Sequence, residues 1–137
     1  MIDYIFYVLL ALTAVQPGQG AFQVELYSDG QLQYRTVAQT TDEGYNLAVV
    51  DSALKLRPVA WLKRDSEGFD VMDEGAQEPR RIELFQDIPG WTEQAISGDS
   101  FSVEAKGGVI QGQRVGSKLT ITLESDIDTV VIQPYEG

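Results

Sequence analysis

The chain has no cysteine and no histidine. The first absence removes disulfides, thiolate nucleophiles and thiolate metal sites. The second removes imidazole ligands, Ser-His-Asp and Cys-His machinery, and the side chain that ordinarily titrates near pH 7. Basic residues are scarce too: 10 Lys and Arg stand against 21 Asp and Glu, for a net charge of −11 over 137 residues. A nucleic-acid surface needs a Lys/Arg face to displace counterions, so nucleic acid is not an expected partner. Anionic membrane surfaces are disfavoured for the same reason. The single Asn, Asn46, precedes Leu47-Ala48 and makes no glycosylation acceptor.

What is present is a globular composition, 43% hydrophobic and 23% charged, at the length of one domain. We take 1–137 as a single β domain, with 1–16 as an assembly strand or arm. The run Tyr4–Val15 is the longest uncharged apolar stretch. It falls short of the roughly 20 residues of a membrane-spanning helix, so no membrane span is expected. The first basic residue is Arg35, which argues against a signal peptide. A buried helix and a strand remain. Tyr4, Ile5, Phe6, Tyr7, Val8, Thr13 and Val15 are aromatic or β-branched, and both alternating faces are apolar. That pattern favours a strand covered on both sides.

Further along, Ala21–Tyr27 and Gln31–Ala38 alternate around Ser28-Asp29-Gly30, the signature of a tight hairpin. Thr40–Leu56 is ambiguous. Thr40 and Glu43 have capping-box spacing and Leu47, Val50 and Leu54 helical spacing, while Leu47–Val50 also suits a short strand. Val59–Met72 reads as a second hairpin turning at Asp65–Gly68. Short strands follow at 81–85, 101–105, 109–113, 118–124 and 129–133. The fold class is therefore all-β and mainly antiparallel, a single-domain sandwich or barrel. At most one or two short helices are expected, near Thr41–Leu56 or Trp91–Ile96. The expected core includes Val24, Leu26, Leu32, Trp61, Leu119, Ile121, Val131 and Ile132.

Motifs of chemistry are weak. Asp65, Glu67, Asp70, Asp73 and Glu74 offer carboxylates, but without calcium-loop spacing they read as solvated turn charges. Arg80-Arg81 is a basic spot that could pair with a neighbour's acids or with Glu78 and Glu83. Trp61 and Trp91, with Tyr27, Tyr34, Tyr45 and Tyr135, could build a stacking platform for a sugar. Trp61 reads better as core, and Trp91 as an interface anchor. No catalytic, cofactor or metal site is expected. The expected interface is Tyr4, Phe6, Val8, Leu10, Leu12 and Trp91, facing protein partners or copies of the chain. Together these features suggest a non-enzymatic structural subunit, and fold-level analogy suggests the virion of a tailed phage, in a cement, neck, tube or tail part. A secreted or surface β-sandwich that binds carbohydrate is the alternative.

Overall fold

In the computed structural model, which describes residues 4–15, 18, 20–50, 52–83, 99–105 and 108–135, the Asp29-Gly30 turn forms as expected. Asp29 (φ 51°) and Gly30 (φ 78°) are both left-handed, as a turn matched to strand twist requires. The turn joins β1 (Ala21–Ser28) to β2 (Gln31–Thr40). The chain continues through β3 (Gly44–Val50), β4 (Leu56–Arg64), β5 (Phe69–Asp73) and β6 (Arg80–Ile82). After the undescribed segment come β7 (Ser100–Ala105), β8 (Gly108–Val115), β9 (Lys118–Thr122) and β10 (Thr129–Pro134).

The ten strands among the described residues belong to one antiparallel sheet in the order β6-β5-β4-β3-β2-β1-β10-β9-β8-β7. The all-β, antiparallel class therefore holds, in a sheet that does not close into a barrel. The joint between its two halves is the β1–β10 ladder, which runs from Phe22↔Pro134 to Tyr27↔Thr129.

Tyr4–Val15 is not a strand. Tyr4–Leu12 is an α-helix, α1, and Val8, Leu9, Leu10, Ala11 and Leu12 are wholly or almost wholly buried. They share one cluster with Val24 and Leu26 of β1, Phe69 and Val71 of β5, Phe101 of β7 and Ile121 of β9. Side chains from both halves of the sheet thus surround the helix. A run apolar on every side suits either a two-sided strand or an engulfed helix. The interior decides between them: the segment packs against the face of the sheet rather than along either edge strand, and there only a helix brings its backbone hydrogen bonds with it.

The C-terminal end of α1 exposes carbonyls that the helix cannot satisfy. The Tyr45 hydroxyl donates to Val15 O at 2.6 Å and lies 3.2 Å from Leu12 O. Arg64 Nη1 donates to Val15 O at 3.3 Å and to the Tyr45 hydroxyl at 3.1 Å. The Thr13 hydroxyl donates to Leu10 O at 2.7 Å. A cation at this end also suits the helix dipole.

Two further expectations need correction. The ambiguous segment after Thr40 is strand: Thr40 Oγ1 bonds the backbone of Gly20 rather than capping a helix, and Gly44–Val50 pairs with both β2 and β4. Leu32 and Trp61 are not core; they are 49% and 41% exposed. The other six expected core residues are buried. The Trp91–Ile96 helix lies outside the described residues.

Candidate docking face

The residues anticipated as an interface separate into three groups. Val8, Leu10 and Leu12 sit in the chain's own core, so the burial expected from a partner is supplied by the sheet. Tyr4 and Phe6 are half-buried. The Tyr4 ring stacks on Tyr34 of β2 at 5.1 Å between centroids, and Phe6 meets Tyr7 edge-on. Trp91 lies outside the described residues.

The acidic turn is occupied by the chain's own arginines. Arg81 forms a two-pronged pair with Asp65 at 2.6 and 2.8 Å and reaches Asp70 at 3.3 Å. Arg80 binds Asp73 at 2.9 Å. Asp65 Oδ1 also accepts the backbone N–H of Glu67 and Gly68, which shapes the β4–β5 turn. The Arg81 hydrogen bond, and then these amides, hold the Asp65 carboxyl well below the usual carboxylate range. Among the described residues no group of three or more carboxylates is arranged to hold a metal ion.

The outer face of β1–β5 carries a feature that the sequence reading missed. Ladder partners Ala21↔Gln39, Gln39↔Asn46, Asn46↔Trp61 and Trp61↔Met72 form one row across five strands. Along β4, Leu62 points inward, wholly buried, and Trp61 outward. Trp61 forms part of the wall of a groove of about 780 Å³, with Val37, Ala48, Leu56, Pro58, Met72 and Tyr135 among its lining, and Asp73 and Glu74 also contribute to it. The cue in the sequence was Lys63, which shares the parity of Trp61 and is exposed.

A bulge directs the hairpin beside this groove. Leu47 pairs with Ala60 but Ala48 pairs with Pro58, which leaves Val59 as the extra residue. A bulge tolerates a proline that cannot donate to the ladder, and it twists the strand away from its neighbour. The β2–β3 ladder accordingly stops at Val37↔Ala48, whereas β3–β4 continues to Val50↔Leu56. The Thr36 hydroxyl donates to Ala48 O at 2.7 Å where the strands part. Beyond that point the hairpin displays Val50, Leu54 and Leu56, exposed by 39%, 86% and 47%.

No helix among the described residues is long and apolar enough to cross a membrane. In comparison with known proteins, no family model, curated protein or solved structure matches the chain.

Proposed function

We propose that the protein is a non-enzymatic subunit of a larger assembly and docks through the outer face of its β3–β4 hairpin. One observation carries this reading. Of the six large apolar side chains exposed among the described residues, four (Val50, Leu54, Leu56 and Trp61) lie on this hairpin. Single exposed apolar residues are ordinary, whereas a contiguous set beside a groove is what protein interfaces bury. Trp beside Met, as Trp61 beside Met72, is also a pair that interface centres favour. The non-enzymatic reading draws support from the missing His and Cys and from carboxylates already held by Arg80 and Arg81. The virion of a tailed phage is the setting we favour, on the fold-level analogy of a compact acidic β domain.

The test is a folded chain that has lost this face. With Leu54→Asp and Trp61→Ala combined, the chain should keep its circular-dichroism spectrum and melting transition. It should no longer be recovered in the cross-linked complexes that the native chain forms in its source cells. Recovery of the same complexes by the variant would show that docking lies elsewhere.

A carbohydrate reading has its own observation: the Asn46 amide pairs in register with Trp61, and the Gln39 amide lies one strand further on. An aromatic face beside planar amides suits a sugar ring. Quenching of tryptophan fluorescence by oligosaccharides, lost in Trp61→Phe, would favour this reading over protein docking.

A further inference from the structure

We infer that the groove receives the β3–β4 hairpin tip of a second copy of this chain, and that the two copies dock reciprocally about a two-fold axis. This inference rests on the docking face proposed above and names its partner. The tip has the shape and charge of a plug. Leu54 is 86% exposed and holds a left-handed backbone, φ 61°, which a leucine adopts only at a cost. Strain of that kind, kept at an exposed apolar residue, marks a position used for contact.

Residues 51–57 carry two cations, Lys55 and Arg57, against one acid, Asp51, in a chain of net charge −11. The groove is charged the opposite way, with Asp73 and Glu74 contributing to it. Asp73 is tied to Arg80, while Glu74 stands exposed. A cavity near 780 Å³ is large enough for several side chains. Tip and groove belong to the same hairpin, so one two-fold axis can satisfy both contacts at once, as an isologous interface requires. Two bodies of like charge repel at long range, which leaves the opposed charges of tip and groove to select this orientation.

Charge exchange tests the pairing. Lys55→Glu with Arg57→Glu sets an acidic tip against an acidic groove, and Glu74→Lys sets a basic tip against a basic one. The native chain should sediment as a dimer, and each variant alone should associate at least tenfold more weakly. An equimolar mixture should restore the dimer as a one-to-one hetero-pair in native mass spectrometry, because both of its contacts are then complementary. Leu54→Gly provides a folding control. It should melt at or above the native temperature, since glycine relieves the left-handed backbone, yet lose the dimer.

A native chain that stays monomeric, variants that dimerise like the native chain, or a mixture that fails to recover would each overturn the inference. A monomeric chain whose cross-linked complexes still depend on Leu54 and Trp61 would refute self-docking and leave the assembly reading intact. If those complexes ignore the face as well, both readings fall.

Discussion

Leu10 and Leu54 are the same side chain in two apolar stretches of one chain, and the fold treats them oppositely. Leu10 sits on α1 with no exposed surface, surrounded by side chains from both halves of the sheet. Leu54 stands 86% exposed on the hairpin that leaves the sheet at the Val59 bulge. Around Leu10 the chain meets its own needs, down to the last helix carbonyls held by Tyr45 and Arg64. Around Leu54 the described residues leave apolar surface and a groove uncovered. The buried core therefore lies on the helix side of the sheet, and the docking proposed above would use the other side, so each should be open to disturbance without the other.

The largest effect expected from that division is at Leu10. Leu10→Ala should cost about 2–5 kcal/mol. Leu10→Lys places a charge in the same site, so the loss should approach the whole stability of a domain. Denaturant titration should show no cooperative transition for the lysine variant. A folded but dissociated Leu10→Lys chain would break the comparison, because α1 would then be an interface after all.

Next comes Tyr45→Phe. It removes the donor to Val15 O and the acceptor of Arg64, at about 1–3 kcal/mol by urea unfolding. Burial raises the Tyr45 hydroxyl above its ordinary value of 10.0, with Arg64 pulling the other way. The unfolded chain therefore ionises first, and stability should fall as pH rises above 10.0. The phenylalanine variant should lack that share of the alkaline loss, and an unchanged alkaline slope would remove Tyr45 from the helix clamp.

Smaller still is Asp65→Asn, which keeps the turn acceptor and loses the charge. The depressed carboxyl contributes stability at neutral pH and gives it up as pH falls below the ordinary 3.8. The variant should melt somewhat below the native chain at pH 7, with the gap closing as pH falls so that its acid limb is flatter, by thermal melts across pH. Leu54→Ser should be the mildest, within about 0.5 kcal/mol of the native chain. A much greater loss would mean that the tip is packed against its own chain.

The regular strands were legible because both of their signals are local. Asp29-Gly30 fixed one turn and Asp65–Gly68 another, and alternation along Lys118–Thr122 set its face. The helix was illegible because Tyr4–Val15 is apolar at every period, and the choice depends on which edges other strands leave open. Trp61 was misplaced for a related reason. Its size suggested core, but parity with Lys63 and the bulge at Val59 place it outward, and a bulge is a tertiary event with little local signal. The pairing of Arg81 with Asp65 and Asp70 was also beyond sequence, since it depends on β6 lying beside β5.

The ladder between β1 and β10 sets the order in which the molecule can be made. β1 can pair with β2 as soon as both have been made, but its other edge waits for Thr129–Pro134, the last of the described strands to be synthesised. At 5–20 residues per second, roughly 6–24 s separate α1 from that partner. Through this interval the helix has only half of its enclosure, and its apolar side chains are available to any nearby chain. Non-local pairing of this kind also closes slowly, on the scale of milliseconds to seconds once the chain is complete. Tyr4–Leu12 would thus be open to any chaperone that holds short apolar segments during synthesis, and closed to it once β10 docks.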